Sequence, residues 1–245
     1  MGGGLVTFLV GFATPTLALL AGDTRSVLRT VEDELAPEPA RGPALQRDNK
    51  IKLRPLPAGW MTGGSTSAWT DGLAVSLAQA PGDRESLRAQ ARDFAPTAMA
   101  EILDFSPALG RRIQQEQATF VIGADARGLF RLHMNWRGDD CCPGERNDQV
   151  FGLVPKHLPL ALHVRLLGKY QQLVRRRVGA TTMWQATIAL YRAMYKAGGP
   201  AGSVSAFVCA GLLAQSGGRV QLGAVGPVCH TPAALSPATR EALHA

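Results

Sequence analysis

The stretch "VTFLVGFATPTLALLAGDTRS", residues 6–26, decides how this chain is read. Its beginning is apolar enough for an export signal or a membrane anchor, yet it closes on Asp23-Thr24-Arg25. A secretory signal needs a positive n-region, an unbroken apolar run and a small-residue cleavage site. The preceding "MGGGL" carries no Lys or Arg, and Pro15 interrupts the run. The apolar segment before Gly22 is also short against the roughly 20 residues of a membrane-spanning helix. Thr7, Phe8, Val10, Phe12, Thr14 and Thr16 favour extended backbone. The segment therefore reads as two short buried strands, "VTFLVGF" and "LALLAGD", joined by a turn at "ATPT". An exported protein with a cleaved head is the rival reading, and in it Thr7 and Asp23 share no chemistry.

Around this hairpin, 245 residues that are 46% hydrophobic can build one large core. We expect a single domain over residues 1–230 and a tail over 231–245. The formal charge of +7 favours acidic partners in general and says nothing of fold. Part of it is Arg175-Arg176-Arg177 at the end of a helical pattern, which reads as a solvated helix end. No aromatic-rich nucleic-acid motif accompanies it, so no nucleic-acid partner is expected. Cys141 and Cys142 are adjacent and lack Cys-x-x-Cys geometry, and His157, His163 and His230 have no ligand-like spacing to them. No metal is expected. Cys209, inside the apolar run "SVSAFVCAGLL", reads as a small hydrophobe, and four sparse cysteines point to a reducing, cytoplasmic setting. "TGGSTS" lacks the Gly-Lys-Ser/Thr end of a phosphate-binding loop.

Further along, "RDNKIKLRPLPAGWMTGGSTSAWTDGLAVSLAQ" reads as a short strand with Lys50, a second strand, and Gly64 opening the first helix. The acidic, Pro-rich residues 27–46 before it read as an inserted surface loop. "AEILDFSPALGRRIQQEQ" reads as a second helix ending near Gly110, and "ATFVIGAD" with "LFRLHMNW" as a hairpin. Two amphipathic helices follow, and the stripe Met183, Trp184, Leu190, Tyr191 and Met194 reads as core. "SVSAFVCAGLL" and "RVQLGAVG" close the domain as another hairpin, and the tail ends in a helix capped at Ser236 or Thr239. Taken singly, "GDTRS" is a strand-end turn, Lys50 a surface lysine and "TGGSTS" a Gly/Ser loop.

Taken together and in order, Thr7, Asp23, Arg25, Lys50 and Gly64 resemble the opening of the N-terminal nucleophile hydrolases, and among them the proteasome β-subunit family. Thr7 precedes Asp23 by sixteen residues and Lys50 precedes Gly64 by fourteen, as that family's pattern wants. The resemblance covers about the first eighty residues. It implies an α+β fold, a four-layer αββα sandwich of two mainly antiparallel sheets. It implies a threonine-type peptidase or amidohydrolase acting on a peptide or protein substrate, without cofactor or metal, away from membranes, and self-assembled, as homo-oligomer or ring. By the same resemblance Thr7 is the nucleophile, Lys50 tunes its α-amine, Asp23 orients Lys50 and the Gly64 N–H receives the oxyanion. Arg25 braces Asp23, and Ser65 or Ser67 positions substrate.

The chemistry explains why these groups belong together. A threonine hydroxyl is a poor nucleophile without an adjacent base, and here the base is the α-amine of the same residue. That amine must be neutral, and a nearby ammonium lowers its pKa. A backbone N–H near a helix N-terminus suits a developing oxyanion. Thr7 acts this way only as a terminal residue, so Met1–Val6 are read as a propeptide or as a start assigned too early. Val6 stands where self-cleaving relatives carry glycine. "RGDDCCPGERND" lacks the family's Gly-Ser-Gly element, and "KAGGPA" lacks its later Asp and Ser. Those departures sustain the alternative of a catalytically inactive assembly or binding module.

Overall fold

The computed structural model describes residues 8–28, 45–47, 50–64, 67–143, 148–153, 159–198 and 204–230, the side chains of 26–28, 45–47 and 67–68 excepted. Within them lie eleven strands and five helices, an α+β architecture with two larger antiparallel sheets and a two-stranded one. The opening segment is a hairpin, as its composition predicts. Strand β1 (Leu9–Ala13) pairs antiparallel with β2 (Leu17–Asp23), in a register that sets Leu9 against Gly22 and Ala13 against Ala18. The Thr14 hydroxyl closes the turn, donating to the Leu17 carbonyl at 2.9 Å and accepting the Leu17 N–H at 3.0 Å. This leaves Pro15 and Thr16 outside in solvent.

Every residue of both strands is buried because the hairpin lies in the middle of its sheet and is covered on both faces. The sheet also holds β9 (Phe151–Leu153), β10 (Phe207–Ser216) and β11 (Arg219–Cys229), in the order β11-β10-β2-β1-β9. Side chains alternate along a strand. Phe8, Val10, Phe12, Leu19 and Ala21 accordingly pack with Tyr170, Met183, Tyr191 and Met194. These come from helices α4 (Leu160–Arg175) and α5 (Ala180–Gly198). Leu9, Ala13, Ala18 and Leu20 face the other way, onto Phe120, Ile122 and Leu129 of the second sheet.

That second sheet runs β5 (Arg54–Leu56), β6 (Gly59–Gly63), β7 (Thr119–Asp125), β8 (Gly128–Met134). Its far side, with Met61, Val121, Phe130 and Leu132, packs on Leu73, Leu77, Leu87 and Ala91. Those belong to α1 (Ser67–Leu77) and α2 (Arg84–Phe105). The sheets approach closely where β10 meets β6. A Cβ on Gly211 would lie 2.3 Å from Trp60 Cγ, so only glycine admits the indole there.

Three sequence expectations change. The segment expected to end near Gly110 is two helices: α2 stops at Phe105, and α3 (Pro107–Glu116) runs on through Gly110. Ser106 caps α3 by accepting the Leu109 N–H, and Pro107 occupies the first turn, where its missing N–H costs nothing. The insert over 27–46 is not loop at its ends, since β3 (Ser26–Leu28) pairs with β4 (Leu45–Arg47). Lys50 lies just ahead of β5 rather than in a strand. The Met183, Leu190, Tyr191 and Met194 stripe is core, as its spacing predicts. The tail helix capped at Ser236 or Thr239 falls outside the described residues. Among the described residues no helix is long and apolar enough to cross a membrane.

Candidate active site

Strand β2 ends at Asp23, which has no exposed surface. It stands beside β10, opposite Val208, while its N–H donates to the Phe8 carbonyl at 3.3 Å. The Tyr191 hydroxyl of α5 donates to that same carbonyl at 3.0 Å. The start of β1 is thereby tied to the carboxylate end of β2 and to the helical layer. Thr7, the residue before Phe8, lies outside the described residues, as does Ser65. Ser67 opens α1 without a described side chain.

Asp23 makes its ion pair with Lys52, not with Lys50. The main chain explains the two-residue difference. The Lys50 N–H donates to the Thr24 carbonyl at 3.0 Å, so residue 50 sits alongside Thr24 and the chain then runs back along β2. Lys52 thus flanks Gly22. A Cβ built on Gly22 would meet Lys52 Cβ at 3.8 Å and Thr62 Oγ1 at 3.9 Å. Lys52 is buried with Asp23, whereas Lys50 is half-buried among Asp71, Arg54 and Lys52. Partial burial, helped by Arg54 and Lys52 and opposed by Asp71, holds Lys50 below the usual lysine range.

Burial pushes the Asp23 carboxyl up to about 6, against the pull of Lys52, the Ser205 main chain and Arg25. Arg25 is itself buried and contributes to that pull. Cys209 lines the pair from β10, its Sγ bonding the Gly22 carbonyl at 3.5 Å, and burial raises this thiol.

Behind the pair stands a serine that sequence reasoning misses. Ser205 Oγ accepts the Thr24 N–H at 3.1 Å, lies 3.1 Å from Thr24 Oγ1, accepts the Phe207 N–H and donates to the Phe207 carbonyl at 2.6 Å. An oxygen so fully engaged positions its neighbours and is no nucleophile. His230 secures this segment from the rear. Its Nε2–H donates to the Ser205 carbonyl at 2.9 Å, its own N–H bonds the Ala206 carbonyl, and Arg192 Nε donates to its carbonyl at 2.6 Å. Burial, with Arg192 adding to it and the Ser205 bond opposing, drops the His230 pKa to about 4, so the ring is neutral at neutral pH. The one local signal for Ser205 is its place just before an apolar strand. The supporting serine sought by the resemblance falls at "KAGGPA", which contains none.

Gly64 stands between β6 and α1, where it was expected. Its N–H, however, donates to the Ala118 carbonyl at 2.9 Å, extending the β6–β7 ladder by one step. An amide engaged in this way does not receive an oxyanion, and the role expected of the Gly64 N–H is withdrawn. Among the described residues no group of three or more His, Cys, Asp or Glu side chains could hold a metal ion. No protein-family model matches this chain, and no curated protein matches it.

Proposed function

We propose that the chain is an N-terminal nucleophile hydrolase of the proteasome β-subunit kind, a threonine-type hydrolase of peptide or other amide bonds. The observation that carries this reading is the buried Asp23–Lys52 pair, two groups from distant sequence joined at the end of β2, where the Asp23 N–H bonds the carbonyl of Phe8, the residue after Thr7 in sequence. Burying two charges away from water is expensive, and clefts and active sites are where such an expense recurs. In this reading the stack of α4 and α5, two sheets, then α1 and α2 is the family's αββα sandwich.

The mechanism assigns Lys52 the role first expected of Lys50. After removal of Met1–Val6, the Thr7 α-amine is kept neutral by the Lys52 ammonium, and takes the Thr7 hydroxyl proton as the oxygen attacks the substrate carbonyl. Asp23 holds Lys52 charged and aimed, and Ser205 with His230 holds the Thr24 main chain behind it. The family likeness extends to self-assembly, as homo-oligomer or ring. The engaged Gly64 N–H favours the second reading, a non-catalytic module that keeps the sandwich for assembly.

The test is a threonine-directed covalent inhibitor applied to protein whose amino terminus has been read by mass spectrometry. Labelling at a terminal Thr7, lost in Lys52→Ala, supports the enzyme. Correctly trimmed protein that takes no label supports the module.

A further inference from the structure

The hairpin β7–β8 continues into a loop whose two adjacent thiols play no part in the site above. After Met134 the chain turns on Asn135, whose Oδ1 accepts the N–H groups of Arg137 at 2.8 Å and Asp139 at 3.2 Å. It then folds back on β8, where the Cys141 N–H donates to the His133 carbonyl at 2.6 Å. Asp140 locks this return. Its Oδ1 accepts the N–H groups of His133 at 3.3 Å and Cys142 at 3.2 Å, and Arg88 of α2 donates to its Oδ2 at 2.7 Å. The thiols therefore sit on a braced loop, with Cys141 exposed and Cys142 partly so. Cys142 Sγ lies 3.8 Å from His133 Nδ1, and that imidazole is stacked on Phe120, ring centroids 4.6 Å apart.

We propose that Cys141-Cys142 is a thiol–disulfide exchange site for low-molecular-weight disulfides, with Cys142 as the attacking thiol, His133 as its base and Cys141 as the resolving thiol. In the first step the Cys142 proton passes to His133 Nδ1 and the thiolate attacks one sulfur of R–S–S–R. The S–S bond breaks, and the departing thiolate takes a proton, leaving Cys142 as a mixed disulfide. In the second step Cys141 Sγ attacks Cys142 Sγ, the Cys142–S–R bond breaks, and the Cys141 proton passes to the departing R–S⁻, releasing the second R–SH. Two protein thiols are oxidised by two electrons and one disulfide is reduced to two thiols.

The roles are not interchangeable. Burial, Asp140 and Asp139 all push the Cys141 thiol up, which disfavours it as the attacking group, whereas Cys142 has an imidazole within reach. The product is reversible. Adjacent Cα atoms stand about 3.8 Å apart across a trans peptide, short of the roughly 4.4–6.8 Å of ordinary disulfides. A bond formed there is strained and easily reduced.

The test uses the full chain, reduced, with 2-hydroxyethyl disulfide or cationic cystamine as probe, read by intact mass and peptide mapping. Once the released thiol is removed by gel filtration, which draws the strained bond to closure, wild type should have lost two hydrogens within the one peptide holding both cysteines, with no lasting adduct. Cys141→Ser should accumulate one probe moiety on Cys142, and Cys142→Ser should form no adduct on this loop at a comparable rate. His133→Phe, which preserves the stack on Phe120, should slow the first step about tenfold near neutral pH. Above the ordinary thiol pKa of about 8.5, that gap should close. His133→Asn serves as the second variant should Phe disturb the fold, as judged by the melting transition. Reaction of Cys229 as fast as Cys142 would overturn the proposal. So would a Cys141→Ser protein that holds no adduct, or His133 variants of unchanged rate.

Discussion

Asp23–Lys52 and Arg84–Asp125 join the same kinds of charge, yet their carboxyls move in opposite directions. Asp125 stands at the β7–β8 turn, where Arg84 reaches it through two nitrogens, at 2.5 and 2.9 Å, and the Arg127 N–H adds a third bond at 2.8 Å. Partial burial raises the Asp125 carboxyl, but these bonds win and hold it below the usual range. Asp23 has one ammonium and complete burial, and its carboxyl goes up to about 6. The turn pair is thus arranged to favour its charges, while the inner pair keeps them against the pull of its surroundings. A charge pair retained at that expense points to a use other than stability.

The largest effect expected from breaking this contrast is at Lys52. Lys52→Ala leaves Asp23 buried without its ammonium, so unfolding stability should drop by about 3–5 kcal/mol, measured by urea denaturation. The amide hydrolysis proposed above should fall at least about a hundredfold, beyond what partial unfolding explains. Lys50→Ala, at a half-buried position, should move stability by no more than about 0.5 kcal/mol. If Lys50→Ala abolished hydrolysis and Lys52→Ala did not, the pairing seen here would be irrelevant to function.

The next effect is a pair of pH dependences of opposite sign. For Asp23 the unfolded carboxyl ionises near 3.9 and the folded one near 6, so between these the native state holds more protons. Its contribution is fully present below the unfolded value and is lost as pH rises through about 6. The gap between the two ionisations is worth about 3 kcal/mol of pH-dependent stability. Asp125 behaves the other way: its contribution is present above the unfolded pKa and is lost as pH falls through its depressed folded value. Urea midpoints measured across this range should show the wild-type slope between about pH 4 and 6 relieved in Asp23→Asn and retained in Asp125→Asn. Equal slopes in wild type and Asp23→Asn would mean that Asp23 is not raised.

Much of this is legible in the sequence, for physical reasons that differ between the two places. The β1–β2 hairpin can be read because Pro15 breaks an apolar run rich in β-formers, and Asp23 because it ends that run. Lys50 and Lys52 cannot be told apart. They share strand parity, and only the Lys50 N–H bond to Thr24 sets which of them reaches the carboxylate. Ser205 and His230 come from beyond residue 200 and join the site through sheet order, which no local pattern encodes. The Gly64 N–H misleads for the opposite reason: its place before a helix is right, but an extra rung of the β6–β7 ladder uses it.

A smaller effect should come from Ser205→Ala. Thr24 and Phe207 would each lose an acceptor for a main-chain N–H, at a cost of about 1–3 kcal/mol if water does not replace it. The Asp23–Lys52 contact would persist, so stability should fall more than the pH 4–6 slope changes. A variant that instead lost the slope would show that Ser205 sets the Asp23 pKa and does more than hold the strand end.

The smallest effect is expected at the other pair. Arg84→Ala removes a bidentate ion pair whose partners keep 18% and 8% of their side-chain surface, and a cation held 5.1 Å over the Phe130 ring. Loss of the Arg84 side chain opens the turn and lets water reach the carboxylate, which should bring the cost down to the about 0–1 kcal/mol of a surface pair. The Asp125 carboxylate would retain the Arg127 N–H and its place on the turn, so no charge is stranded. A loss of about 1 kcal/mol, shrinking further in high salt, is the expected result. A loss as large as that of Lys52→Ala, and insensitive to salt, would mean that the turn pair is as desolvated as the inner one. The difference on which the functional assignment of Asp23 and Lys52 rests would then disappear.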